Sequence, residues 1–219
     1  MASDGSGWLL IASGRFWSLL VASRYGSERI LDEWMPWLLA ATEAPAPPPA
    51  DAESAAAVVR RCATRRGVPA AAVLGALEKL EAASQRAAEA GQPQQWDTAV
   101  LFGSAEAPTC WELVFSSSVA DLPLLGGLLG GYFPIRETLR WDLGRAALDL
   151  EIELLPFAPC LKVEGTDLTW DEAKGQLSYR VNEKPPSTWT LVFVDEAAGV
   201  IAARSSVTGL NIIQRSENR

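Results

Sequence analysis

The chain has 219 residues and a formal net charge of −8, and this acidic excess argues against nucleic acid as a partner. It contains no histidine, which excludes histidine-dependent triads, a histidine general base and histidine metal ligands. Hydrophobic residues make up 48% of the chain, enough for a sizeable buried core.

Residues 1–43 are predicted to form an apolar, helical, tryptophan-rich arm. Residues 8–22 are an apolar run interrupted by Gly14 and Arg15, and they are fewer than the roughly 20 residues that a membrane-spanning helix needs. Residues 28–41 have helical spacing interrupted by Pro36. Because tryptophan favours membrane interfaces and partner pockets, we expect the arm to contact a membrane or a partner, unless its helices pack on their own domain. The candidate contact residues are Trp8, Trp17, Trp34 and Trp37.

A proline-rich linker and a helical segment follow the arm. Residues 44–50 read Ala-Pro-Ala-Pro-Pro-Pro-Ala and are predicted to be stiff and extended. Residues 51–95 predict a helical hairpin, in which Asp51 or Ser54 caps the first helix and Gly67 interrupts the helical pattern.

Residues 96–219 are predicted to form an antiparallel β-domain of about eight strands, as a meander, barrel or sandwich. Aromatic and aliphatic residues alternate in two similar segments, which contain Trp111, Leu113 and Phe115, and Trp189, Leu191 and Phe193. Leu148, Leu150 and Ile152 alternate with acidic residues, which is typical of a strand with one buried face. Further strands are predicted at 133–142, 161–163, 168–170, 177–181, 200–204 and 210–215. Turn signals separate the strands, including Glu164-Gly165.

The segment 119–132 has neither a helical nor a strand period. Five leucines, including Leu124 and Leu128, are interleaved there with two Gly-Gly pairs. We interpret it as a mobile apolar loop at the mouth of a barrel, where it is a lid over a cavity or a finger into lipid. The alternative is a loop that packs against the core.

Few residues point to catalysis. Asp167 and Asp171 form a carboxylate pair that could support acid–base chemistry, but their positions are typical of a turn and a strand edge. Cys62, Cys110 and Cys160 have no metal-ligand spacing and are predicted to be reduced core residues. We therefore expect no enzymatic activity, no metal site and no resident cofactor.

The order of these elements resembles the plastid lipid-associated protein family, also called fibrillins or plastoglobulins. The first part of the resemblance lies in the helices and the first strand: Arg65-Arg66-Gly67, Leu77-Glu78-Lys79-Leu80-Glu81 and residues 111–116. The second part lies near the end of the chain: Trp189, Phe193-Val194-Asp195-Glu196, Arg204, Gly209-Leu210 and Ile212-Ile213. The resemblance implies a lipocalin-like barrel, association with thylakoids or plastid lipid droplets (plastoglobules), and binding of lipids, carotenoids or prenylquinones.

An eight-stranded barrel is about wide enough for one small apolar ligand. The candidate lining residues are Trp111, Phe115, Leu124, Leu128, Trp141, Tyr179, Trp189 and Phe193. Asp195 and Arg204 are predicted to pair and to hold the closing hairpin together.

Two functions remain open at this point. The first is a non-catalytic protein that binds membrane lipid or a hydrophobic molecule such as a lipid, carotenoid, chlorophyll or quinone. The second is a structural or adaptor subunit of a thylakoid photosynthetic complex, a photosystem or an antenna assembly, docked through the tryptophan-rich arm.

Overall fold

The computed structural model describes residues 51–92, 94–104, 106–122, 129–133, 135–153, 160–182 and 184–216. The predicted arm and linker lie outside these residues. The helices are α1 (Ala52–Arg65), α2 (Ala70–Glu89), α3 (Thr98–Phe102) and α4 (Ser117–Ala120). The strands are β1 (Cys110–Ser116), β2 (Arg136–Asp142), β3 (Ala147–Glu153), β4 (Leu161–Asp171), β5 (Gln176–Arg180), β6 (Ser187–Asp195), β7 (Val200–Ser205) and β8 (Gly209–Arg215).

The eight strands form a closed antiparallel barrel in which each strand pairs with the next one in the chain. The barrel closes where β8 pairs with β1, so that Arg215 lies opposite Trp111. Closure satisfies the backbone groups that an open sheet would leave exposed at its edges. The predicted fold, a lipocalin-like barrel of about eight strands preceded by a helical hairpin, is confirmed.

Strand β4 differs from the prediction of two short strands at 161–163 and 168–170. It is one strand of 11 residues, and the predicted turn at Glu164-Gly165 lies inside it. A Cβ atom on Gly165 would be 3.2 Å from Leu148 Cβ, so this glycine permits close packing rather than a turn. The register shifts beyond it at a β-bulge, where Asp167 has φ 57°.

The helical hairpin, α1 and α2, begins at the predicted cap, since the Ser54 backbone N–H donates to Asp51 Oδ1 at 2.7 Å. The residue that ends α1 in the left-handed conformation is Arg66, with φ 44°, and not the neighbouring Gly67. The Arg66 side chain forms an ion pair with Glu112 on β1, a contact that a glycine could not make.

The helical hairpin covers the outer face of β1, β6, β7 and β8. Val59 and Leu77 of the helices share one buried cluster with Ile212 of β8. A second cluster fills the inside of the barrel. Strand β7 contributes to both, since Ala202 faces the helices while Ile201 faces the interior, and this explains its continuous apolar sequence.

The barrel has two ends. At the α3 end, Leu101 and Phe102 of helix α3 are buried against the interior. The strand termini at the α3 end are Cys110, Asp142, Asp171, Asp195 and Arg215. The strand termini at the other end, named the far end, are Ser116, Arg136, Glu153, Arg180 and Ser205.

Candidate functional site

Three of the predicted ligand-binding residues come together inside the barrel. The ring centroid of Trp141 is 6.1 Å from that of Trp111 and 6.0 Å from that of Trp189. The indole N–H of Trp111 donates to the backbone oxygen of Leu101 at 2.9 Å, which satisfies its one polar group. These rings pack against one another and against α3, so they form part of the barrel core.

Two aromatic residues that the candidate list missed complete this layer. The ring of Phe102 lies 6.2 Å from Trp141 and 5.5 Å from Trp170. Within the described part of the chain, the indole nitrogen of Trp170 is buried without a hydrogen-bond partner. The bulge at Asp167 shifts the alternation of β4, so that Trp170 faces inward together with Leu168. The half of the barrel next to α3 is therefore filled with aromatic rings.

Phe115 and Phe193, which were predicted to line the interior, face the helical hairpin instead. Both strands have a register shift at the same place, between Leu113 and Phe115 in β1 and between Leu191 and Phe193 in β6. The extra residue reverses the side on which the following side chains point, because strand side chains alternate with a period of two. The prediction that these two rings line a ligand pocket is wrong for this reason.

On the outer face of the barrel, these rings pack between the barrel and the helices. Phe115 packs edge-on against Tyr132 with centroids 5.7 Å apart, and the guanidinium of Arg60 lies 5.8 Å from the ring centroid of Phe193. The Tyr132 hydroxyl donates to Val68 O at 2.9 Å and accepts from Val68 N–H at 2.8 Å. Burial raises the pKa of Tyr132 well above its usual value, so the hydroxyl stays protonated.

The predicted pair of Asp195 and Arg204 does not form. Asp195 pairs with Arg60 of α1, and Arg204 pairs with Glu81 of α2. The two residues lie far apart along the β6–β7 ladder, where Asp195 is opposite Val200 and Arg204 is opposite Thr190. Backbone N–H donation from Ala198 and the bond from Arg60 hold the pKa of Asp195 below its usual value. These charges join the helices to the barrel rather than closing a hairpin.

Leu124 and Leu128 lie outside the described residues, as do Trp8, Trp17, Trp34 and Trp37. Their roles stay predictions. Next to the first two, Leu122 and Leu129 are partly buried against the interior of the barrel. The described parts of the Leu-Gly segment therefore lie at the far end.

The far end contains an inward-facing carboxylate, Glu137. It follows the alternation of Leu139 and Trp141 on β2 and lies opposite Ile152 on β3. The side chain is partly buried, and its desolvation raises the pKa of Glu137 from 4.5 to about 7, with no neighbouring charge contributing to this shift. The sequence could have identified Glu137 as an inward residue, because it alternates in step with Leu139 and Trp141 within the predicted strand 133–142.

Tyr179, another predicted ligand-binding residue, is partly buried and packs against the same interior cluster. Burial raises its pKa most, hydrogen bonding with Trp189 and Ser187 lowers it, and the charge of Glu137 raises it further.

The buried polar groups at the far end bond to nearby polar groups. Ser116 Oγ donates to Thr208 O at 3.0 Å, and Thr208 Oγ1 donates to Asn211 Oδ1 at 3.1 Å. Ser205 Oγ accepts the backbone N–H of Val207 at 3.1 Å. Unlike these groups, Glu137 has no hydrogen-bond or ion-pair partner within the described residues.

A surface groove of about 400 Å³ lies beside α3 and the start of β1. Its lining includes Val100, Pro108, Cys110 and Arg215, and none of the predicted ligand-binding residues. The part of the chain that the structure describes contains no group of three or more acidic or cysteine residues placed to hold a metal ion. No helix in that part is both long enough and apolar enough to cross a membrane.

The cysteines and the carboxylate pair have structural surroundings. Cys62 and Cys110 are buried as predicted, whereas Cys160 is exposed, which corrects its assignment to the core. Burial raises the pKa of the Cys62 thiol to about 12. Asp167 pairs with Arg180 and Asp171 with Lys174, so each carboxylate of the pair has its own surface cation.

No protein-family model matches the sequence, and no curated protein matches it. The resemblance to plastid lipid-associated proteins therefore stays an expectation.

Proposed function

We propose that this protein is a non-catalytic, lipid-associated protein of plastid membranes or plastoglobules that binds a hydrophobic molecule, a lipid, carotenoid or prenylquinone. The binding site is at the far end of the barrel. The observation that carries this proposal is that the two ends of the barrel interior contain different kinds of side chain. Aromatic rings in mutual contact occupy the α3 end, whereas the far end holds Tyr179 and Glu137, and Glu137 has no partner among the described residues.

The far end has the composition of a small-molecule site. Such sites combine apolar walls with a few polar groups that orient the ligand. Here Ile152 and Leu161 lie opposite each other on β3 and β4 and pack against the interior. Glu137 and Tyr179 supply the polar groups. Perturbed ionisable groups in such surroundings are typical of binding sites.

The proposal is tested by recovery of a ligand and by blocking of the site. Purified protein is extracted with organic solvent and the extract is analysed by mass spectrometry, with a short-chain prenylquinone titrated separately while tryptophan fluorescence is followed. Leu161→Trp places a large ring at the far end and is expected to weaken binding by about tenfold or more, because bulky side chains occupy the ligand's volume. Val207→Trp is the matched control, since Val207 is exposed and the added ring stays in solvent.

An empty extract, together with no response of the unaltered protein to the quinone, would count against ligand binding. An equal loss of affinity in both tryptophan variants would place the site elsewhere. Thermal unfolding of each variant separates loss of binding from loss of fold.

The second candidate is an adaptor subunit of a thylakoid photosynthetic complex. The filled α3 half of the barrel favours a structural role, and the arm carries four of the nine tryptophans. Deletion of residues 1–43 is then expected to abolish migration with a photosystem or antenna complex in native gels of gently solubilised membranes. Unchanged migration of the shortened protein would exclude docking through the arm.

A further inference from the structure

Glu137 is an acidic side chain on the inner face of the barrel. The register of β2 and β3 places it opposite Ile152, in the row that continues to Leu161 on β4. On β5 and β6, the inward residues nearest the far end are Tyr179 and Ser187, which lie opposite each other. Of these four residues, Tyr179 alone is titratable, and its hydroxyl is neutral below its raised pKa.

The connections at the far end supply little positive charge. The β1–β2 connection, residues 117–135, contains Asp121 as its one charged residue, and the β3–β4 connection, residues 154–160, contains none. Lys184 in the β5–β6 connection is exposed to solvent. A carboxylate on an apolar wall, with no cation paired to it among the described residues, is costly to remove from water, and such groups are typical of functional sites.

We propose, on the basis of the binding function above, that Glu137 selects uncharged hydrophobic ligands with a hydroxyl head group and rejects those that end in a carboxylate. An ionised carboxylate accepts a strong hydrogen bond from a hydroxyl. A second carboxylate at the same place is repelled, and away from water this repulsion is weakly screened. Selectivity of this kind arises from an unfavourable contact with the wrong ligand.

A pair of probes that differ in the head group tests this inference. Retinol and retinoic acid share one apolar body, and both accept excitation energy from tryptophan, so quenching of protein fluorescence reports their binding. At about pH 8, where Glu137 is ionised, the full chain is expected to bind retinol at least about tenfold more tightly than retinoic acid. Glu137→Gln removes the charge with little change of shape, and the preference is expected to fall to about threefold or less.

Glu153→Gln is the matched control. Glu153 lies near the same end of the barrel, on β3, but follows the outward alternation of that strand and pairs in register with Arg136. The variant removes the same charge from the outside of the barrel. Its preference for retinol is expected to equal that of the unaltered protein.

The outcomes separate this inference from the proposed function. If both probes bind and Glu137→Gln keeps the full preference, Glu137 does not select the head group, and the binding function stands. If Glu153→Gln loses the preference as well, the effect comes from net charge and the inference fails. If neither probe binds and organic extraction yields no ligand, the binding function itself is overturned.

Discussion

Arg204 on β7 and Glu81 on α2 form an ion pair across 123 residues of sequence, in which Arg204 Nη2 donates to Glu81 Oε2 at 2.6 Å. The Nε–H of the same guanidinium donates to the other carboxylate oxygen, so the ion pair is bidentate. Arg60 Nε with Asp195 Oδ2 and Arg66 Nη2 with Glu112 Oε1 form two further ion pairs between the helices and the barrel. The helices are thus joined to the barrel by arginine pairs around an apolar contact.

A double-mutant cycle with Glu81→Gln and Arg204→Met is expected to give a coupling free energy of about 0.5–1 kcal/mol, because the side chains are 17% and 48% exposed. Urea unfolding of the four proteins measures it. Asp167 and Arg180 provide the control, since their atoms are 3.5 Å apart and the Asp167 side chain is 69% exposed. The control coupling is expected near zero. Equal coupling in both cycles would mean that the bidentate geometry does not increase the coupling free energy.

Phe115→Leu is expected to lower the free energy of unfolding by about 1–2 kcal/mol, because the ring is fully buried between the barrel and the helices. Chemical denaturation measures this loss. Phe193→Leu is the comparison, with a smaller loss expected because Phe193 is partly exposed. Neither change is expected to alter ligand affinity. Weakened ligand binding at unchanged stability would place the Phe115 ring inside the barrel instead.

The stability of the protein is expected to fall as the pH rises from about 5 to about 8. Glu137 has a pKa raised from 4.5 to about 7 in the folded state. Below the pKa of the unfolded state, Glu137 is protonated in both states and the free energy of unfolding is unaffected. As the pH rises to the pKa of the folded state, the free energy of unfolding falls by up to about 3 kcal/mol. Urea unfolding at several pH values follows this loss.

Glu137→Gln is expected to flatten that pH profile, because glutamine has no charge to bury. Glu153→Gln is expected to leave the profile unchanged. A slope that persists in Glu137→Gln would assign the pH dependence to another group.

Gly165→Ala is expected to destabilise the fold by about 1–2 kcal/mol through overpacking. The new methyl group would lie 3.1 Å from Arg180 O and 3.2 Å from Leu148 Cβ, and neither atom is at the free end of a flexible side chain. Gly67→Ala is the matched control, since the nearest atom to its new Cβ, Arg65 O, is 3.6 Å away. Its change in thermal midpoint is expected to be small. A reversed order would show that close packing does not require a glycine at this position of β4.

Alternation in the sequence was sufficient to predict an antiparallel β-domain and most of its strands, whereas the choice of a barrel was implied by the family resemblance. Strand β3 alternates apolar and acidic residues without interruption, and its Leu148 and Ile152 are buried in the interior. The helical hairpin and its Asp51 cap were predicted from periodicity and cap chemistry, because both depend on residues close in the chain. Trp111, Trp141 and Trp189 were placed correctly inside the barrel for the same reason.

The tertiary structure alone decided which side of the sheet the later residues of β1, β4 and β6 face. Val114 and Val192 are the extra residues of two bulges, and each lies beneath the helical hairpin. A bulge satisfies two cores at once, because it lets consecutive apolar residues face the helices while the strand stays paired. The sequence pattern contains no sign of this choice, since a strand that is buried on both faces loses the polar positions that mark its outer side.

The charged residues show the same distinction between what local sequence patterns determine and what tertiary packing decides. Local patterns determined that Asp195 and Arg204 are at strand positions near turns, but their partners lie on helices more than a hundred residues earlier in the chain. The alternation of β2 indicates that Glu137 faces inward like Leu139, whereas the absence of a paired cation among the described residues depends on how the strands are arranged around it. Local chemistry therefore determined the elements of this protein. Packing between distant elements decided which side chains could form a site, because burial and pairing depend on neighbours that sequence proximity does not supply.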